Sequence, residues 1–190
     1  MPVKNQSILY SFLFCLTLLL VYSILGSTMA ASPESPINVS MSASRGHNGE
    51  VLCNFEFTNT ADEDYYIGTY STPLEGIYSS FLTITYQDGT DVQYMGILAR
   101  RLPPTKKTFK LIKAGETISA SVDLTEAYIF DKDGTYTIVF DRTLACLSAK
   151  EISKFSDDDE LPQGGWKNVV LVKAEINLSN TSSLKKLPTI

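Results

Sequence analysis

The side chains that could do chemistry in this chain are few and scattered. There is one histidine, His47, in the turn-like run Arg45-Gly46-His47-Asn48-Gly49, and there are three cysteines, Cys15, Cys53 and Cys146. Zinc hydrolysis needs several His, Asp or Glu ligands converging on one ion, usually with two histidines a helical turn apart. A lone His47 cannot supply that set and reads as a solvated loop residue. Serine chemistry would have to use the same histidine as base, and no Gly-x-Ser-x-Gly elbow occurs. A cysteine nucleophile needs a thiolate beside a base, and Cys53 and Cys146 are better used on each other. Gly164-Gly165 precedes Trp166 and not a helix, so it is no phosphate loop. The expectation is a protein that is not an enzyme, with no metal site and no cofactor.

The charged runs are more numerous. Asp62-Glu63-Asp64 and Asp157-Asp158-Asp159-Glu160 offer oxygen ligands of the kind Ca²⁺ takes, but contiguous charges seldom converge on one ion and read better as solvated loops. Asp131-Lys132-Asp133-Gly134 has the look of a calcium-loop fragment. In that register Ile129 and Phe140 fall on the first and last ligand positions, where neither can coordinate. One basic patch stands out: Arg100, Arg101, Lys106, Lys107, Lys110 and Lys113 hold six of the sixteen Lys and Arg residues. Pro103 and Pro104 stiffen it toward an extended form. Three readings stay open for it: a solvated loop and edge strand, where lysine discourages edge-to-edge pairing; a site for an acidic partner; and a dibasic processing site at Arg100-Arg101.

What surrounds these residues points to export. Lys4 precedes an uncharged, almost wholly apolar run at 8–25, followed by the small residues Gly26, Ser27, Ala30 and Ala31. This is the pattern of a secretory signal peptide over 1–31, with a retained signal anchor as the alternative, since the run is just long enough to cross a bilayer. No later segment is apolar enough to span a membrane. After cleavage, Cys53 and Cys146 remain, and two cysteines in an oxidising compartment most simply form one disulfide. It would close a long loop, worth about 4–5 kcal/mol in the chain-entropy treatment; two separate thiols are the alternative. Asn38, Asn177 and Asn180 each begin an Asn-x-Ser sequon and are glycosylation candidates. A net charge of −5 gives no general attraction to nucleic acid.

The elements that must carry these residues are strands. Residues 37–44 and 50–58 alternate apolar and polar side chains; in the second, Val51, Cys53, Phe55 and Phe57 share one face. Further strands are expected at 65–71, 109–112, 117–122, 134–140 and 169–176, and a hairpin of 81–86 with 92–98 around the Asp88-Gly89 turn. Residues 124–128 suit a single helical turn. Pro103 and Pro104 exclude a central strand around them, and the tail, 179–190, is polar and expected to fray. Eight or nine short strands over 32–178, with no long amphipathic helix, argue for an antiparallel immunoglobulin-like β-sandwich, with a small barrel as alternative. Gly134-x-Tyr136, close after Asp131 and Asp133, resembles the tyrosine corner of such sandwiches, without the cysteine that immunoglobulin domains place two residues later.

Several phrases lie in a particular order: Asn59-Thr60 with Asp62-Glu63-Asp64-Tyr65-Tyr66, then Ser71-Thr72-Pro73-Leu74-Glu75-Gly76-Ile77, Pro103-Pro104-Thr105, Ile112-Lys113-Ala114-Gly115-Glu116, and Val122-Asp123-Leu124-Thr125-Glu126-Ala127-Tyr128. In wording and spacing they resemble the N-terminal pro-domain that precedes the catalytic domain of deuterolysin-like and peptidyl-Lys zinc metallopeptidases. The resemblance covers about 51–177. It implies a domain that helps a partner zinc protease to fold and restrains it. No catalytic residue is carried over, because the HExxH-bearing domain is not in this sequence. The resulting expectation is a secreted, non-catalytic sandwich that binds another protein, such as a secreted metalloprotease, as a trans-acting inhibitor or folding chaperone. An extracellular adhesion or structural module, and a truncated gene model of a zinc metalloendopeptidase, are the alternatives.

Overall fold

The strict alternation near the start of the domain becomes a long antiparallel pair. Strands β1 (Ile37–Arg45) and β2 (Val51–Asn59) run in register from Ile37 opposite Asn59 to Arg45 opposite Val51. The turn between them is closed by the Gly46 N–H donating to the Glu50 carbonyl at 2.9 Å. Val51, Cys53, Phe55 and Phe57 are all fully buried, as their period of two requires. In this computed structural model residues 35–161, 168–181 and 184 are described, and Ser35–Ile190 forms one compact unit. The leader at 1–31, Trp166 and Gly164-Gly165 lie outside the described residues.

The remaining strands are β3 (Tyr65–Gly68), β4 (Thr83–Tyr86), β5 (Phe109–Ile112), β6 (Thr117–Asp123), β7 (Gly134–Leu144), β8 (Cys146–Ser148) and β9 (Asn168–Leu178). They form three antiparallel sheets, ordered β1-β2-β6, β5-β3-β8 and β4-β7-β9. The first and third pack face to face through aromatic rings. Phe55 of β2 meets Phe140 of β7 edge-on at 5.4 Å between centroids, and Phe81 stands edge-on to both. Such pairs add about 0.5–1.5 kcal/mol each beyond the area they bury. The second sheet is built from continuations of the other two: β7 passes through Ala145 into β8, and β5 turns into β6 at Gly115, whose φ of 71° suits glycine. The result is an antiparallel immunoglobulin-like sandwich with nine strands among the described residues. Its sheets remain open, so the barrel alternative falls away.

The tyrosine corner is present. The Tyr136 hydroxyl donates to the Lys132 carbonyl at 2.9 Å and accepts from the Lys132 N–H at 3.1 Å. Several phrases that carry the family resemblance prove to be turn locks. The buried Asn59 side chain donates to the carbonyls of Glu63 and Ile112 and accepts from the Ala61 N–H. Thr72 accepts from the Leu74 N–H to cap the 3₁₀ turn Pro73–Glu75, and Asp123 does the same from Thr125 for the turn Leu124–Glu126.

Two expectations are corrected, one is not shown, and two elements are added. Residues 92–98 are not a strand: after the Asp88-Gly89 turn the chain makes one bridge, Asp91 to Thr85, then leaves the sheet. Tyr94 bridges to Tyr128 instead, and the Met95 N–H donates to the Ala127 carbonyl. The expected disulfide is not shown. Cys53 lies in the middle of β2 and faces the core, whereas Cys146 opens β8 in a different sheet, opposite Ile67. The start of the tail does not fray: the Asn180 and Thr181 N–H groups donate to the two oxygens of Asp133 at 3.1 and 2.9 Å, and Leu184 is buried. Finally, β8 and a single-turn helix, α1 (Ala149–Ile152), were not foreseen. The signal for α1 was available, because Ser148-x-x-Glu151 closes a complete capping box.

Candidate protein-binding surface

The basic run and the acidic run meet in space through residues 51 positions apart in the sequence. Lys106 and Lys107 sit on a 3₁₀ turn (Lys106–Thr108) and face Asp157 and Asp158. Thr105 bridges to Glu160, and the Leu161 N–H donates to the Pro104 carbonyl at 2.8 Å. The ion pair holds the Lys107 ammonium above the usual lysine range, chiefly through its hydrogen bond to Asp158. Lys107, Asp157 and Asp158 are largely exposed and Lys106 is half-buried, so the pairs count for little in water. Burial of Leu161 is the stronger fastening. Two of the six members of the basic patch are therefore paired within the chain.

The other members of the patch go elsewhere. Lys110 is exposed on β5, an edge strand of its sheet, and discourages pairing there. Lys113 is exposed in the turn before β6, and Arg100 is exposed as well. Arg101 is drawn inward: its guanidinium bonds Glu75 Oε1 at 2.6 Å and lies over the Tyr70 ring, 5.4 Å from the centroid. His47 is exposed in its turn. Among the described residues no three His, Cys, Asp or Glu side chains gather as metal ligands. Asn38, Asn177 and Asn180 are all exposed, with Asn177 Nδ2 donating to Thr135 Oγ1 at 3.0 Å.

Arg101 forms one wall of an open groove of about 510 Å³. Tyr70 and Thr72 line it from the loop after β3, Pro103 and Pro104 from the proline segment, Phe109 from β5 and Arg142 from β7. Gly68 lets the chains close up here, since a Cβ on it would stand 2.8 Å from the Ala145 Cβ. Arg142 was missed in the sequence. Its guanidinium donates to the carbonyls of Ser80 at 2.7 Å and Asp141 at 2.9 Å, and among the described residues no carboxylate pairs with it.

The segment that leads into the groove exposes a row of apolar residues along the chain, here called the ridge. Met95, Ile97, Leu98 and Leu102 are all exposed on a segment without regular structure, with Tyr78 exposed nearby in sequence to its anchor, where the Ala99 N–H donates to the Tyr78 carbonyl. Isolated exposed apolar residues are ordinary, but four within eight positions of the chain make this segment a candidate contact surface. Tyr94 holds the ridge in place: its one O–H is shared between the Ile97 carbonyl at 2.6 Å and the Ile77 carbonyl at 2.9 Å. The sequence signal was there: apolar residues abut two prolines that forbid a central strand.

Cys53 is chemically quiet. Burial pushes its thiol from an ordinary 9.0 up to about 12, so at neutral pH it is a packed apolar side chain. Cys146 is half-buried, close enough for its charge to bear on the Tyr65 hydroxyl.

No family model matches the chain. Over 120 residues it is 26% identical to an extracellular protease of Aeromonas hydrophila, a stretch covering 63% of this chain and 33% of that protein. The chain thus spans a minor part of that relative's length. Among solved structures it superposes on the yjhA protein of Bacillus subtilis at a TM-score of 0.34 and 12% identity, covering 73% of this chain and 91% of that one. It superposes on PapD-like domain 7 of human CEP192 at a TM-score of 0.39 and 13% identity, covering 80% and 94%. What the comparisons establish is a partial sequence similarity between this immunoglobulin-like sandwich and an extracellular protease.

Proposed function

We propose that this chain is an exported, non-catalytic binding domain whose partner is a zinc metalloprotease, which it restrains or helps to fold in the manner of a pro-domain. The observation that carries the reading is the exposed ridge of Met95, Ile97, Leu98 and Leu102 beside the groove. Burying such side chains in a partner is worth about 1.5–3 kcal/mol each, so four of them can anchor an interface. The partial similarity to an extracellular protease supports the identity of the partner. The test is inhibition and capture of deuterolysin-type zinc proteases by the purified domain. Binding at micromolar concentration or tighter, lost in the Ile97→Asp/Leu102→Asp double variant, supports the proposal. No binding at that concentration sinks it, and a non-protease partner dominating capture from secreted proteins favours an adhesion module.

The coverage of only 33% of the extracellular protease favours one further reading, in which the same domain is joined to a zinc metalloendopeptidase in a longer product. Genomic sequence beyond the codon for Ile190 decides that reading, by the presence or absence of an in-frame HExxH segment.

A further inference from the structure

Arg100 and Arg101 sit in the middle of the ridge segment. Among the described residues, no backbone group of 100–103 takes part in a backbone–backbone hydrogen bond. Arg100 is exposed, and the flanking Leu98 and Leu102 are 73% and 78% exposed. An endoprotease binds its substrate as an extended strand, pairing with main-chain groups over several residues, so a stretch already held in a ladder is refractory and a stretch like this one is not. Leu102 before Pro103, and Pro103 before Pro104, are biased toward extended conformations.

We propose that the Arg101–Leu102 peptide bond is a processing site for a serine endoprotease whose acidic pockets take two successive guanidinium groups. The step is a hydrolysis. One water is consumed, the Arg101 carbonyl carbon gains an oxygen, its bond to the Leu102 nitrogen breaks, and the products are an Arg101 carboxylate and a Leu102 ammonium. The leaving nitrogen belongs to leucine, and the first proline lies one residue further on.

The structure also contains a lock and a control. Before cleavage Arg101 must leave Glu75 and the Tyr70 ring, so the Glu75 carboxylate sets how often the bond is available. The second dibasic pair, Lys106-Lys107, has the same charge but sits on the 3₁₀ turn facing Asp157 and Asp158 and is not a site. The nicked chain stays together, because the strands before the cut pair with those after it: β2 with β6, β3 with β5 and β8, and β4 with β7.

This inference does not depend on the protease partner proposed above, and its test uses no partner. The whole chain is treated with a dibasic-specific endoprotease, and the products are read by intact mass and by size exclusion with and without denaturant. The expected result is that the first cut between residues 35 and 161 follows Arg101, that the fragments co-elute until denatured, and that Glu75→Gln speeds this cut at least threefold without speeding cleavage after Lys107. A first cut at Lys107 or elsewhere in that range overturns the proposal, as does equal acceleration at both sites, which reports a loosened fold.

Discussion

Tyr136 and Lys132 exchange two hydrogen bonds through one phenol: the hydroxyl donates to the Lys132 carbonyl and accepts the Lys132 N–H. Tyr136 is buried, with its ring against Tyr86 and Phe130. Tyr136→Phe keeps the packing and strands both backbone groups of Lys132. Lys132 is exposed and the two bonds are only partly buried, so losing them costs about 0.5–1.5 kcal/mol each. Urea denaturation should show a lower midpoint with an unchanged slope.

Phe140→Ala should be the more damaging substitution. Phe140 is fully buried and meets both Phe55 and Phe81 edge-on, so its removal empties the centre of the core between the two facing sheets. The expected loss is about 3–5 kcal/mol, read by the same denaturation. A loss below that of Tyr136→Phe would show that the facing sheets do not depend on this cluster.

For the clasp between the basic and acidic runs, burial outweighs charge. Replacing Lys106 and Lys107 together by Gln should leave the melting midpoint nearly unchanged, because Lys107 and both aspartates are exposed and screened by solvent. Leu161→Ala should cost about 2–5 kcal/mol. Thermal melts of the two variants at low and high salt separate the effects: Leu161→Ala keeps the ion pairs and their salt-dependent part, and the Gln variant loses that part.

Alkylation tests the cysteines. In the folded protein at pH 8, iodoacetamide should modify Cys146 and spare Cys53, which is buried and whose thiol is pushed up to about 12. A native chain in which neither reacts, lighter by the two thiol hydrogens, would instead restore the disulfide. The sign of the pH effect follows from the raised value. Below about 9 both folded and unfolded states keep the proton and nothing changes. Above it the unfolded thiol ionises first, so stability falls as pH climbs toward 12.

Asp133 behaves in the opposite sense. Hydrogen bonds from Thr181, then from the Asn180 N–H, hold its carboxyl below the usual carboxylate range. The fastening of the tail is fully present above the ordinary aspartate value and is lost as pH falls through the depressed one. Protection of the Asn180 and Thr181 amides, taken relative to the intrinsic exchange rate at each pH, should fall in acid, and Asp133→Ala should show the low protection at every pH.

Much of the sandwich was legible because its strands are half-buried and alternate. Val51, Cys53, Phe55 and Phe57 fell on the core face where their spacing put them, and Gly134-x-Tyr136 announced its corner. Residues 92–98 misled because apolar content alone does not say whether a segment finds a ladder; here Tyr94 is taken by Tyr128 and the rest is left outside. The cysteine pairing was illegible because it depends on which sheet each strand joins. The meeting of Lys106 and Lys107 with Asp157 and Asp158 was hidden for the same reason: each run reads as solvated by itself, and only the fold brings them together.

The pairing of β2 with β6, β4 with β7 and β7 with β9 has a temporal consequence. Apart from the β1–β2 hairpin, the ladders of the two facing sheets join segments separated by tens of residues. Closing such loops is slow. A nascent chain lacking β9 has one side of β7 unpaired, and one lacking β7 has no Phe140 for Phe55 to meet. The domain therefore commits late, after nearly all of it has been made, and until then it is a thread that can still be passed through a narrow channel.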